Sequence, residues 1–343
     1  MAFVLHGRMT AWVAVDTMSG DHGPEPAVHG AQQAIREYGS HVTLVGDPEK
    51  LEKLLKRFTC DPSHVQIAPA KEVITMDDSP ARAVRSKPDA SVVVAARLVK
   101  EKKAVGFFSP GNTGATMAAA LLEMGRIKGV ERPSIASPLP REDGGTTVLI
   151  DSGANVDCKA SWLVQFAIMG EIYSREILGV VNPRVAVLSN GEEEGKGNSV
   201  STDAWERLRH LPCNFMGNVE GRDLYGGGRT ADVVVCDGFT GNIVLKATEG
   251  LATSIFTILL QGIAGSSLAK TGAYLLKPVL SEVKRRMDYT EYGGAPLLGV
   301  EGICIIGHGG SNATAFKNAI RVVDQSSKRD IRQKIEDRVR LFG

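Results

Sequence analysis

Cysteine is scarce in this chain and scattered: five in 343 residues, at Cys60, Cys158, Cys213, Cys236 and Cys304, with no CxxC pair and no Cys/His cluster. That spacing excludes a zinc site and a disulfide framework, and fits a reducing cytoplasm. Net charge is equally scant. Forty Lys and Arg against thirty-nine Asp and Glu leave +1, so no global field gathers nucleic acid and any anion site has to be local. No uninterrupted apolar segment reaches the ~18 residues that span a bilayer. The start "MAFVLHGRMTAWVAVDTM" lacks the basic opening, long apolar run and small-residue cleavage site of a secretory signal, so export is not expected. Repeats with a period of about 20 to 50 residues and low-complexity linkers are missing too. The chain is 43% hydrophobic and 23% charged, the composition of an ordinary globular protein with one large core or two smaller ones.

Short β-branched runs, "WVAV", "VTLV", "VQIA", "AVGFF", "TTVLI", "RVAVL", "DVVVC" and "ICII", alternate with amphipathic stretches. This rhythm predicts an α/β fold with a mainly parallel sheet. The expected organisation is one α/β catalytic unit over residues 1–343, of one or two lobes. Between Leu251 and Met287 no strand intervenes, and Leu251, Ile255, Leu259 and Ile263, then Leu276, Leu280, Val283 and Met287, recur at helical spacing. With "GIAGSS" between them they predict a helical hairpin over 251–287. The run Ala313 to Phe342 predicts helix packed on the core, broken near "QSSKRD".

Three strands run into loops that combine glycine with asparagine: "SPGNTGATMAAALLEM", "DGFTGNIVLKATEG" and "GHGGSNATAFKNAI". At the carboxyl ends of parallel strands such loops form ligand edges, since helix starts offer unpaired N–H groups and glycine admits close approach. Each loop taken singly is also explained by an asparagine, or the Thr113 hydroxyl, capping a helix. None matches GxxxxGK[ST], and "GHGGSN" is only a faint echo of a dinucleotide loop, so neither ATP nor NAD is called for. A fourth loop, "LSNGEEEGKGNSV", follows "RVAVL" and leads into a helix capped by Asn198 or Ser199. Its lone cation, Lys196, lies between two glycines and is free to swing toward an anion. The competing reading pairs it with Glu192, Glu193 and Glu194 at the surface.

Asp16, Asp21, Asp151, Asn155, Asp237 and His308 also stand at strand ends, where lone polar residues commonly form caps and turns. Cys158 and Cys236 are conceivable acyl acceptors, but buried inert thiols are commoner and no histidine adjoins them. No GxSxG elbow supports a serine triad. A magnesium site is not supported either, because three consecutive glutamates cannot converge and no aspartate or histidine completes the set.

Taken together, "DTMSGDHGP", "SPGNTGA", "DSGANVDCK", "GEEEGKGN", "GNVEGRD", "DVVVCDGFTGNIVLK", "YGGAPLLGV" and "HGGSN" resemble, in order, the motifs of the bacterial phosphate acyltransferases of phospholipid synthesis. The resemblance runs from about Trp12 to the C-terminal helix, with Ser19 where the family usually has glycine and Pro110 where it usually has alanine. Met1 to Ala11 precede it and are given no role. It implies a three-layer α/β/α fold similar to phosphotransacetylases and isopropylmalate dehydrogenases, with the hairpin protruding. It also implies a homodimer attached peripherally to the cytoplasmic face of the cell membrane. The implied reaction moves a long-chain acyl group from acyl carrier protein to inorganic phosphate, without cofactor or metal. A membrane-bound acyl phosphate:glycerol-3-phosphate acyltransferase would consume the product.

For that reaction the protein's task is to position phosphate against the thioester carbon and to stabilise the oxyanion. The expected catalytic residues are Lys196 for phosphate, Asn242 and His308 as partners of the thioester, and Asp237 to orient a neighbour; Asn112 and Thr113 are expected to bind phosphate. Gly114, Asn198, Gly241 and Asn312 complete the expected substrate-binding set. Two rivals stand beside this reading. A β-decarboxylating dehydrogenase of related fold would be exposed by a nicotinamide absorbance assay with magnesium. A non-catalytic membrane scaffold built on the hairpin would form no acyl phosphate.

Overall fold

The structure, a computed structural model, describes residues 11–287 and 289–343, without the side chains of Lys284, Met287 and Tyr289. Of the first eleven residues, set aside above, the first ten therefore lie outside it. In chain order the strands are β1 Trp12–Asp16, β2 His41–Gly46, β3 Val65–Pro69, β4 Gly106–Ser109, β5 Ser134–Pro140, β6 Thr146–Ile150, β7 Arg184–Leu188, β8 Asn214–Val219, β9 Val233–Val235, β10 Ala295–Leu298 and β11 Ile303–Ile306. The helices are α1 Glu25–Tyr38, α2 Pro48–Phe58, α3 Pro80–Ser86, α4 Ser91–Lys100, α5 Thr113–Ala119, α6 Ala160–Glu176, α7 Ser199–Leu208, α8 Gly238–Ala264, α9 Ser267–Leu275, α10 Lys277–Met287, α11 Ala313–Lys328 and α12 Ile331–Phe342. They divide into two compact units, one of residues up to Pro133 with Tyr292–Gly343, the other Ser134–Glu291.

In the first unit the strand order is β3-β2-β1-β4-β11-β10. All pairs are parallel except β10 with β11. Val13, Val15, Val42, Leu44, Phe108 and Ile305 share one face, packed by Ala27, Val28 and Ala31 of α1 and by Phe316, Ala319, Ile320 and Val323 of α11. Because side chains alternate along a strand, Ala14 and Phe107 turn to the other face, which α4 covers. Buried on both faces, these strands read as continuous apolar runs, which is why they were legible in the sequence. The two helices approach closely: a β carbon at Gly30 of α1 would lie 2.6 Å from the Ala313 carbonyl oxygen. Phe108 meets Phe316 edge to face at 5.0 Å, a contact whose loss to alanine would cost about 3–5 kcal/mol.

In the second unit the order is β5-β6-β9-β7-β8, parallel apart from β5 with β6. Helix α6 is buried along most of its length and, with α7, covers one face. On the other, Leu149, Ala186, Val219, Val234 and Cys236 pack with Leu224, and Val244 and Leu245 of α8 close over them. Each unit thus sandwiches a mainly parallel sheet between helices, the α/β/α layering expected.

Every apolar run quoted above lies on a strand, but β5, β8 and β10 were not anticipated. Their sequences, "SIASPLP", "NFMGNV" and "APLL", carry the prolines, asparagines and glycine that lower strand propensity. The C-terminal helix breaks within the expected segment, at Asp330 with φ +57. The helical segment before β10 differs from expectation at its start. Helix α8 begins at Gly238, not Leu251, because the Asp237 side chain caps it. At "GIAGSS" it ends, and Ser266 caps α9; the returning arm is then two helices, α9 and α10. The 27-residue α8 also corrects the reading that no segment is long and apolar enough to span a bilayer. Lys246 and Glu249 interrupt the run in sequence, yet an 18-residue stretch of the helix has mean hydropathy 1.6 and none of it is buried.

Candidate functional site

In the first unit the loops after β1, β4 and β11 converge. Asp16, fully buried at the end of β1, accepts from the Ser19 hydroxyl at 2.6 Å and the Ser109 hydroxyl at 2.7 Å, and from the Met18 and Ser19 N–H groups. One carboxylate therefore ties two strand ends together. The Asp21 N–H donates to the Gly309 carbonyl at 2.9 Å and Gly307 N–H to the Ser109 carbonyl at 2.8 Å, bringing in the third loop. Space is tight enough that a β carbon at Gly111 would lie 2.5 Å from the Ser19 Cβ. Ser19 and Pro110, the two departures from the family pattern, both sit in this junction, where a β carbon at Gly20 would meet the Pro110 ring at 3.3 Å.

The asparagines here act as helix caps. Asn112 Oδ1 accepts from the Ala115 N–H and its Nδ2 donates to the Met76 carbonyl at 3.3 Å. Asn312 Oδ1 accepts from the Ala315 N–H at 3.0 Å. Thr113 is exposed and Gly114 packs against Pro80. His308 is exposed, and its Nδ1 accepts from the Gly310 N–H at 3.3 Å.

In the second unit the loops after β7 and β9 shape a cleft of about 490 Å³, walled by Ser189, Asn190, Gly197, Asn198, Asp237 and Thr240. Asn198 caps α7 through the Ser201 N–H at 2.9 Å. Asp237 caps α8, accepting from the Thr240 N–H at 2.8 Å and its hydroxyl at 2.9 Å. Gly241 is where α8 presses on the loop after β6, since a β carbon there would fall 1.9 Å from the Asp151 carbonyl oxygen. Asn242 lies one position on, exposed beside Gly153. Beneath them Asp151 is buried and accepts five N–H bonds, from Ile135, Gly153, Ala154 and Asn155 and from the Asn155 amide. Burial pushes its carboxyl above the ordinary range, against the pull of those donors.

Lys196 is exposed on the loop next to Gly197 in the cleft wall. Two of the three neighbouring glutamates have arginine partners: Arg209 lies 3.3 Å from Glu194, and Arg222 3.3 Å from Glu192. Among the described residues no carboxylate comes within ion-pair distance of the Lys196 ammonium. Gly191 makes room for the Glu193 carboxylate and the lysine stem, for a β carbon there would lie 2.8 Å from Glu193 Oε2 and 3.0 Å from Lys196 Cγ. Gly195 and Gly197, at φ +88 and +114, turn the loop on either side.

The thiols nearest this cleft are held protonated. Burial pushes Cys158 up to about 11 and Cys236 well above its ordinary value. Both donate to carbonyls, of Asn155 and Asp151. Of the residues expected to act, Lys196, Asn198, Asp237, Gly241 and Asn242 fall in the second unit, and Asn112, Thr113, Gly114, His308 and Asn312 in the first. Asn198 and Asp237 share the cleft wall. Asn218, buried at the end of β8 within "GNVEGRD", was not among the expected residues, although that motif was quoted.

A protein-family model described as fatty acid synthesis protein matches residues 11–334. A phosphate acyltransferase from Leptospira biflexa is 61% identical over 328 residues, covering 96% of each chain. One from Desulfitobacterium hafniense is 51% identical over 314 residues, covering 91% of this chain and 92% of its own. Among solved structures, a phosphotransacetylase from Streptococcus pyogenes superposes with TM-score 0.65 at 17% identity, covering 93% of this chain and 94% of its own. A branched-chain phosphotransacylase from Enterococcus faecalis does so with TM-score 0.54 at 12% identity, covering 92% and 98%. These two show likeness of fold.

Proposed function

This chain belongs to the family of the phosphate acyltransferases and is an acyltransferase of fatty acid and phospholipid synthesis, and from that premise we propose that it moves a long-chain acyl group from acyl carrier protein directly to inorganic phosphate. A phosphate oxygen attacks the thioester carbon, the carbonyl oxygen takes up negative charge, and the C–S bond breaks to release the carrier thiolate, which then gains a proton. Phosphate is already an anion and a thiolate leaves readily, so neither step calls for a covalent acyl-enzyme.

The observation that carries this reading is the Lys196 ammonium: exposed, beside a cleft, and without an ion pair among the described residues, two of its three neighbouring glutamates, Glu192 and Glu194, being paired with arginines. A lysine free of ion pairs on a glycine loop serves as a point charge for phosphate. Asn242 and Asp237, in the same unit as Lys196, are read as partners of the thioester and its surroundings. The protonated thiols of Cys158 and Cys236 fit direct transfer, because a thiol held above its ordinary range is a poor nucleophile near neutral pH.

The exposed apolar length of α8 to α10 fits a surface that is covered in use, including Ile258, Leu260, Leu268 and Leu275. We read it as the contact for a homodimer and for the inner face of the cell membrane, close to the acyl phosphate:glycerol-3-phosphate acyltransferase that would take the product. The test of the reaction is trapping with hydroxylamine. Purified protein with acyl carrier thioester and phosphate should form a hydroxylamine-reactive acyl phosphate, and Cys158→Ser and Cys236→Ser should still do so. An isolable acyl-enzyme lost with either cysteine would overturn direct transfer.

A further inference from the structure

We propose that Asn218 is a positioning residue that fixes the Lys196 loop for phosphate, an inference that rests on the reading of Lys196 given above. Its place comes from an irregularity in β8. Val185 pairs with Phe215 and Val187 with Asn218, so one residue between partners on β7 faces two on β8. The extra residue is absorbed at Met216 and Gly217, where Gly217 takes φ +90, a left-handed conformation that favours glycine. A bulge of this kind re-aims the side chain that follows it.

The re-aimed side chain is Asn218, only 1% exposed. Its Nδ2 donates to the Glu193 carbonyl at 2.9 Å and the Lys196 carbonyl at 3.5 Å. Those two carbonyls bracket the turn that carries the lysine, a turn closed by the Lys196 N–H on the Glu193 carbonyl at 3.2 Å with Gly195 inside it. The backbone at Lys196 is thus pinned from below, and the ammonium moves on its own side chain rather than on the loop.

Among the described residues Asn218 Oδ1 has no hydrogen-bond partner. An apolar side chain would fill the same place without stranding a buried oxygen, which is ordinarily unfavourable. Packing therefore does not account for an asparagine, whereas its two donated bonds do. A second tether from the same segment acts on the surface. Arg222 joins Glu220 at 2.9 Å and Glu192 at 3.3 Å, holding the start of the glutamate run.

The experiment is a double-mutant cycle of Asn218→Ala with Lys196→Met, measuring phosphate saturation and acyl-donor saturation for each enzyme. Asn218→Ala alone should raise the phosphate KM by about three- to tenfold, the loss expected for one or two neutral hydrogen bonds, and leave the donor KM unchanged. In the Lys196→Met background the same change should add less than about twofold, since two residues acting through one charge are not additive. A lysine-specific protease should cut after Lys196 several times faster in Asn218→Ala. If the alanine enzyme does not fold, Asn218→Val, uncharged, suited to a strand and without the amide donors, takes its place in the cycle. An equal effect in both backgrounds, or an unchanged phosphate KM, overturns the role of Asn218 alone. If Lys196→Met is itself without effect, the phosphate reading of Lys196 fails and this inference with it.

Discussion

The guanidinium of Arg209 lies 3.3 Å from the Glu194 carboxylate, and so the glutamate two residues before Lys196 is held away from it. Arg222 does the same for Glu192. Two of the three glutamates beside the lysine are thus taken by arginines, and among the described residues its ammonium has no ion pair.

Lys196→Met should accordingly act on kinetics and spare stability. We expect the phosphate concentration for half-maximal rate to rise and turnover to fall, each by about tenfold, or ~1.4 kcal/mol. An exposed lysine without an ion pair should contribute under about 0.5 kcal/mol to folding. Phosphate saturation curves and thermal melts of the same preparations decide it. Kinetics within about twofold of the parent would return the lysine to the surface and displace the phosphate site.

A second prediction concerns the end of the second unit's sheet remote from the cleft. Asp232 is buried before β9, where it accepts from the Arg184 backbone and guanidinium at 2.9 Å and from Arg141 at 2.9 Å. Burial works against its charge, but the bonds from Arg184 and Arg141 outweigh it and hold the carboxyl below its ordinary range. A carboxyl lowered on folding contributes stability that is full above the unfolded value of ~3.9 and is lost as pH falls through the folded one. Asp232→Asn should cost about 2–4 kcal/mol near neutrality, discounted for the partial exposure of Arg184, with the deficit shrinking below about pH 4. Urea melts from pH 3 to 7 would show this, with phosphate KM unchanged. A deficit constant across that range would assign the loss to packing.

A third prediction tests the hairpin. Leu275 and Leu276 are 73% and 54% exposed. The basic run beside them is partly neutralised, because Glu282 pairs with Arg285 at 2.8 Å and Arg286 at 3.0 Å, which hold its carboxyl at about 2. Lys284, the third member, has its side chain outside the described residues. Apolar area rather than charge should therefore drive membrane contact. Replacing both leucines with glutamate should release the protein from anionic liposomes in sedimentation while activity in solution persists. Liposome binding at the parental level would remove these leucines from the contact.

Much of the fold was legible because buried parallel strands have to be apolar throughout, as "TTVLI" and "DVVVC" are. Where a strand carries proline or polar residues, as β5 and β8 do, local propensity points elsewhere and only pairing with a neighbour makes it a strand. The start of α8 was misplaced for a related reason. Its first turns hold Gly238, Gly241 and Asn242, poor helix formers that are helical because Asp237 caps them.

The sequence by itself determined the layered α/β class, the loops at the strand ends and the isolation of Lys196 between glycines, since each depends on residues close together in the chain. Only the tertiary structure decided how those groups are used. Asn112, Asn198 and Asn312 spend their side-chain oxygens on caps, Asp16 joins the ends of β1 and β4, and Arg209 and Arg222 pair with Glu194 and Glu192 beside the lysine. A residue type states which bonds a side chain is able to make. Which of them it makes depends on partners far off in the chain, as Ser109 is ninety-three positions from Asp16, and folding alone brings those within 3 Å.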